Sequence, residues 1–162
     1  MKLKQLYKSV IDIGIKNDPR GAAGVKRVLD ERKKEFDQLN EKKKKAYDRE
    51  KLVNPYDDTR VHVGEDDLEV TRVMVRIDME TPEIMLADRL SQTGKKIDLV
   101  MAHHPEGRAF AQFYRVMEMQ ADMFQQLGVP ISVAESLTEE RMAEVGRNVR
   151  AANHMRAVDA AQ

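Results

Sequence analysis

The sequence contains no cysteine, and this absence narrows the chemistry available to the chain. Disulfide bonds, thiolate zinc sites, iron–sulfur clusters and cysteine nucleophiles are excluded, so any metal must bind to histidine, aspartate or glutamate. Long hydrophobic runs are also absent: no segment approaches the roughly 18 apolar residues that span a bilayer, and the start of the chain lacks the apolar core of a signal peptide. We therefore expect a cytoplasmic protein that does not act at a membrane.

Net charge is absent as well, because 28 basic residues balance 28 acidic residues among 162. A neutral chain is not typical of proteins that coat nucleic acid or anionic lipid. Charged residues are nevertheless abundant, at 35% of the chain against about 25% in a typical domain. The excess lies in residues 26–51, where 11 basic and 7 acidic residues give a local net charge of +4. The charge pattern therefore predicts two parts, a charged segment over residues 1–55 and a lobe over residues 56–162.

The first part has the apolar spacing of helices. Apolar residues from Leu3 to Ile13 recur at helical intervals and predict an amphipathic helix that ends near Gly14. A thin apolar stripe over residues 25–47 predicts either one long charged helix or a hairpin in which Asn40 caps a second helix. Such helices stand off a domain or pack in an oligomer. The basic run at residues 42–45 is interpreted as a solvated face, and nucleic-acid binding is the least favoured function.

The second part alternates between strand and helix patterns. Strands are predicted at 60–63, 70–77, 97–102 and 129–134. Helices are predicted to begin at Thr81, to cover 110–127 before Gly128, and to begin at the capping box of residues 136–139. This order predicts an α/β fold, with a mainly parallel sheet and flanking helices, preceded by the charged helical segment.

Polar side chains follow three of the predicted strands. Asp78 follows the strand at 70–77, His103 and His104 follow the strand at 97–102, and Glu135 follows the strand at 129–134. Ligands collect at the carboxyl ends of parallel strands, and Pro105 could turn both imidazoles toward one cleft. A divalent metal (Zn, Fe, Mn or Ni) could then bind His103, His104 and Asp78, while Glu135 accepts a proton.

Each of these residues also has a structural alternative. The histidines could form a hydrogen-bonded turn, Asp78 could cap the turn before Thr81, and Glu135 could favour the start of the next helix. The other histidines, His62 and His154, are interpreted as structural residues away from the candidate site.

Several of these segments resemble one known family. The segment Val73-Met74-Val75-Arg76-Ile77-Asp78, the helix at 84–90, and the apolar strand that ends in His103-His104-Pro105 are similar to the amino-terminal half of the Nif-three-like family, also described as GTP cyclohydrolase I type 2-like. Residues 18–21, 54–57 and 128–135 are similar to a prokaryotic branch of that family.

The resemblance implies an α/β lobe, a toroidal hexamer and a dinuclear metal centre. The double histidine of the family matches His103 and His104, one for each metal. The bridging aspartate of the family lies in a later His-Thr-x-x-Asp motif, which this sequence does not contain. We therefore expect either that the missing half of the site is supplied elsewhere or that this chain is a degenerate or truncated member.

Two main hypotheses follow. The first is a divalent-metal-binding protein that acts as a non-catalytic or scaffold member of a ring homo-oligomer. The alternative is a metal-dependent hydrolase that acts on a small nucleotide or phosphate ester, in which bound metal activates water and Glu135 takes the proton.

Overall fold

The computed structural model describes residues 1–162 and is mainly helical. Two short 3-10 helices cover Arg49–Leu52 and Phe113–Glu118. No helix combines the length and apolar character needed to cross a membrane. The strands and α-helices are β1 (Val73–Arg76), β2 (Leu99–Ala102), α1 (Leu3–Lys16), α2 (Gly21–Gln38), α3 (Glu41–Ala46), α4 (Thr81–Gln92), α5 (Gly107–Gln112), α6 (Met119–Gln126), α7 (Ile131–Arg150) and α8 (Arg156–Ala160).

The sheet consists of β1 and β2, which are parallel and in register from Val73 opposite Leu99 to Arg76 opposite Ala102. Helix α4 connects the two strands, as the crossover of a parallel pair requires. Asp98 fixes the start of the sheet, because its Oδ2 accepts hydrogen bonds of 2.9 Å from the backbone N–H groups of Thr71 and Arg72. These bonds lower the pKa of Asp98 to about 2. The predicted α/β fold is confirmed, with a smaller sheet than expected.

Two predicted strands are not formed. Residues 60–63 are irregular, and the Arg60 guanidinium is buried there within a network of ion pairs to Asp48, Glu50 and Asp57. Residues 131–134 begin α7 instead of a strand. Their β-branched residues suit a strand, but Pro130 suits a helix start equally well, and the buried residues that follow are spaced by helical turns. The predicted capping box at 136–139 lies inside α7, where Thr138 donates to the Ala134 carbonyl at 2.7 Å.

Three helix predictions need smaller corrections. The cap of α4 is Glu80, one residue before the predicted Thr81, and the backbone N–H of Glu80 donates to the Glu83 carboxylate at 3.0 Å. The helix predicted over 110–127 is divided into α5 and α6 by the 3-10 helix between them. In the charged segment α2 ends at Gln38 and a second helix follows, because Asn40 Oδ1 accepts a 2.9 Å hydrogen bond from the Lys43 N–H and caps α3; the hairpin itself stays a prediction.

The charged helices pack against the lobe and do not stand off it. Leu3 is buried, and its backbone N–H donates to the Leu68 carbonyl at 2.9 Å. Arg27 of α2 is paired with Asp122 of α6. The division into two parts at residue 55 stays a prediction, but Asn54 and Asp57 beside it are 1% and 2% exposed. The predicted boundary at residue 55 therefore lies in a buried connection between the charged helices and the lobe.

Candidate metal centre

The histidine pair, His103 and His104, lies directly beyond the carboxyl end of β2. Backbone pairing continues past the two strands: the His103 N–H donates to the Arg76 carbonyl at 2.9 Å, and the His104 N–H donates to the Ile77 carbonyl at 2.8 Å. Because the strands are parallel, this pairing places the residues after β1 beside the residues after β2. The pairing of the strands thus fixes the backbone of both histidines independently of their side-chain contacts.

The two imidazole rings lie side by side. Their centroids are 5.1 Å apart and their planes are inclined by 37°. Consecutive residues of a regular strand point to opposite faces, so this proximity results from the bend that follows Ala102. Both residues are exposed and are available to an ion from solvent.

Asp78 lies against His104. The Asp78 Oδ1 atom and the His104 Nδ1 atom are 2.8 Å apart, which is a hydrogen-bonding distance. The structural alternative for Asp78, a cap before Thr81, is not what the structure shows, because Glu80 caps α4. The structure therefore brings together three of the four residues predicted for the site: His103, His104 and Asp78.

Glu135 is the residue that the structure places elsewhere. It is exposed in the first turns of α7 and makes no side-chain hydrogen bond or ion pair. Its predicted place at this edge of the sheet required a strand at 129–134, and that strand is not formed. A catalytic role for Glu135 stays a prediction without geometric support.

Glu106 is an additional acidic group at this edge that the sequence analysis did not assign to the site. It precedes α5 and follows the histidine pair by two residues. Burial, followed by the negative charges of Glu80 and Asp78, raises the pKa of Glu106, although Arg156 opposes the shift. Arg156 is itself paired with Glu80 at 2.9 Å. The residues around the histidine pair are therefore acidic, with one guanidinium that compensates part of the charge.

His62 is also closer to this region than its sequence position indicated. Its ring lies against Gly107, three residues after His104: a Cβ atom at Gly107 would be 3.1 Å from the His62 Cε1 atom. Burial, followed by the positive charge of Arg108, lowers the pKa of His62. No sequence signal placed His62 here, because the irregular segment around it is positioned only by tertiary contacts.

The side chains here are of the types that bind divalent ions, but they are too few to form a complete metal site. Two neutral imidazoles and a carboxylate are the ligands that Zn, Fe, Mn and Ni accept in proteins. No group of three or more histidine and acidic side chains is arranged to hold a metal ion, and Asp78 is engaged with His104. The chain offers two imidazole ligands, fewer than the four that a closed site uses.

One solved structure shows a clear likeness to this chain. It is the crystal structure of a NIF3 superfamily protein from Sphaerobacter thermophilus, 30% identical in sequence over 64% of this chain, with a TM-score of 0.56. The match spans 36% of that protein's length. A comparison with protein-family descriptions and a comparison with curated proteins found no match. The structural likeness confirms the resemblance that the sequence indicated: this chain is similar to part of a NIF3 superfamily protein.

Proposed function

We propose that the chain is a divalent-metal-binding protein of the NIF3 type, a non-catalytic or scaffold subunit of a ring-shaped homo-oligomer in the cytoplasm. His103 and His104 are the ligands that it supplies. The observation that supports this proposal is the exposed pair of imidazoles 5.1 Å apart, with Asp78 hydrogen-bonded to one of them. Two adjacent imidazoles provide nitrogen ligands for a cation, and the neighbouring carboxylate attracts the cation electrostatically.

A metal titration tests the proposal. We expect Zn²⁺ or Mn²⁺, followed by calorimetry, to bind the wild-type chain at a stoichiometry of one ion or more per chain, with modest affinity because few ligands are present. The double variant His103→Ala/His104→Ala should lose saturable binding. His154→Ala is the matched control, because it removes a histidine outside the pair, whose ring makes one hydrogen bond, to the Ala152 carbonyl. Equal binding by the wild type and the double variant would contradict the proposal.

The alternative function is a metal-dependent hydrolase that acts on a nucleotide or phosphate ester, as in a GTP cyclohydrolase-like protein. One observation favours it: Glu106, which follows the histidine pair by two residues, provides a further carboxyl group that could exchange a proton. Bound metal would supply an activated water molecule and polarise the substrate. Metal binding without turnover of nucleotides or phosphate esters would favour the scaffold, and metal-dependent turnover lost in Glu106→Gln would favour the hydrolase.

A further inference from the structure

The hydrogen bond between Asp78 and His104 determines which nitrogen of the ring holds a proton. A neutral imidazole has one N–H donor and one nitrogen with a free lone pair. An ionised carboxylate can only accept, so the contact of 2.8 Å requires that His104 Nδ1 be the donor. The lone pair of a neutral His104 is then on Nε2, the nitrogen farther from Asp78.

The backbone holds both partners of this contact in place. Asp78 follows Ile77, whose carbonyl accepts the 2.8 Å hydrogen bond from the His104 N–H. The two side chains therefore meet between backbone segments that are already hydrogen-bonded to each other. Forming the contact restricts the backbone little further. Holding the carboxylate costs less conformational entropy here than a contact between two independent surface groups would.

The two histidines differ in this respect. His104 has a carboxylate on Nδ1, whereas the His103 ring makes no side-chain hydrogen bond. Both side chains of the bonded pair are open to solvent, with 60% exposure for His104 and 70% for Asp78. Both side chains are therefore accessible to an ion from solvent.

We propose that Asp78 is a positioning residue, which holds the Nδ1–H of His104 and so presents His104 Nε2 as a metal ligand. This inference rests on the proposed function, and it assigns Asp78 a different role from direct metal ligation. Ligand histidines commonly donate their second N–H to a carboxylate, and loss of that partner typically weakens metal affinity by about 10–100-fold.

The first experiment needs no metal. Two-dimensional ¹H–¹⁵N correlation spectra of ¹⁵N-histidine-labelled protein, recorded metal-free at about pH 8 where imidazoles are neutral, distinguish the two tautomers. We expect His104 to be in the Nδ1–H tautomer in the wild type and to become a mixture, like His103, in Asp78→Ala. Asp88→Ala, which removes an exposed aspartate that contacts Gln92 instead of a histidine, should leave the spectrum of His104 unchanged. A wild-type His104 in the Nε2–H tautomer would overturn the inference.

The second experiment separates positioning from ligation. An asparagine oxygen still accepts the Nδ1–H, but it is a poor replacement for a carboxylate that binds metal directly. We expect Asp78→Asn to bind Zn²⁺ within a few-fold of the wild type and Asp78→Ala to bind about 10–100-fold more weakly. Equal losses in both variants would show that Asp78 is a ligand and would overturn the inference.

The two measurements also separate this inference from the proposed function. Metal binding by a wild-type chain whose His104 is in the Nε2–H tautomer would overturn the role of Asp78 and leave the proposed function intact. An Asp78-dependent Nδ1–H tautomer in a chain that binds no metal would overturn the proposed function, and with it the metal-directed purpose of the contact.

Discussion

Asp18 and Arg20 form a buried ion pair at the turn between α1 and α2. Arg20 Nη2 is 2.8 Å from Asp18 Oδ2, and the side chains are 6% and 0% exposed. Asp18 also accepts hydrogen bonds from the Arg20 backbone N–H at 2.9 Å and from the Tyr56 hydroxyl at 3.0 Å. Burial alone would raise the pKa of Asp18, but these donors outweigh burial and lower it. The carboxylate therefore connects the helical segment to the loop that contains Tyr56.

Replacing Asp18 with asparagine should destabilise the protein strongly. Asp18→Asn leaves the Arg20 guanidinium buried without its partner, a change that typically costs about 3–5 kcal/mol. The control is Asp12→Asn in the exposed pair between Lys8 and Asp12, which should change stability by less than about 1 kcal/mol. Urea unfolding measures both values, and similar values for the two variants would contradict the assignment.

His62 makes stability depend on pH. Its pKa is lowered in the folded chain, so its contribution to stability is fully present above the ordinary histidine pKa of about 6.5 and is lost as the pH falls through the lower folded value. We expect the wild-type Tm to fall more than the Tm of His62→Gln between about pH 7.5 and about pH 5.5. His154→Gln measures the effect of losing a histidine elsewhere, and a His62→Gln protein with the wild-type pH dependence would refute the prediction.

At the scale of elements, the start of α5 depends on a glycine. Gly107 has φ of +54°, and a Cβ atom there would lie 2.7 Å from Val158 Cγ2 on α8. The glycine thus combines a left-handed backbone with a close approach between two helices. The same residue begins α5 three residues after His104, so its conformation affects the chain next to the site as well as the packing.

Substitution of Gly107 should lower the free energy of unfolding more than substitution of a glycine that has a positive φ but no close neighbour. Gly94 has φ of +85° and no atom near its Cβ position, so Gly94→Ala measures left-handed strain alone, about 1–2 kcal/mol. Gly107→Ala adds steric overlap, and we expect it to be about 1–3 kcal/mol worse than Gly94→Ala. Thermal or urea unfolding of both variants provides the comparison, and equal losses would mean that α8 moves away at little cost.

The elements that the sequence predicted correctly are those with a strong local signal. Strand β1 was predicted by alternating apolar residues over 70–77, and β2 was predicted by an apolar run of strand length over 97–102. The start of α7 could not be predicted in the same way. The spacing of its β-branched residues fits a strand as well as a helix, and the burial of Ala134 in the folded chain selects the helix. Short apolar runs are ambiguous until tertiary contacts select one conformation.

The candidate site was predictable for a different reason. His103, His104 and Asp78 are adjacent to strand ends, and the parallel register brings such ends together. Glu135 was misplaced because its strand was misassigned, and His62 was missed because no element positions it. A site on a regular sheet can thus be inferred from sequence, whereas a contribution from an irregular segment requires the folded structure.

At the scale of the whole molecule, the chain exposes more surface than a compact protein of its size. Its accessible surface is 10869 Å², whereas a compact monomer of 18.6 kDa exposes about 8,200 Å². Part of the excess lies on β1 and directly after it, where Val75 and Ile77 are 62% and 63% exposed. Parallel strands are normally covered on both faces, so this sheet lacks cover within the chain. This uncovered strand supports the proposed assembly with further copies of the chain.

Self-association through β1 can be tested by a single charge. We expect the wild type to sediment as an oligomer and Val75→Lys to sediment as a smaller species with an unchanged circular dichroism spectrum, because a lysine at a sheet edge opposes strand and face packing. Leu127→Lys, at an exposed apolar position after α6, is the matched control and should remain oligomeric. A monomeric wild type would refute the assembly, and dissociation by Leu127→Lys alone would refute the role of β1.

The buried connection at Asn54 and Asp57 has a consequence for handling the protein. Arg32 of α2 donates to the Asn54 carbonyl at 3.0 Å and is paired with Asp57 at 3.1 Å, while Asn54 Nδ2 donates to the Thr59 carbonyl at 2.8 Å. Separating the charged helices from the lobe would break the buried ion pair between Arg32 and Asp57. The two parts should therefore melt in one calorimetric transition, and neither fragment expressed alone should yield a folded product. The native chain should also resist tryptic cleavage after Arg60, whose side chain is buried.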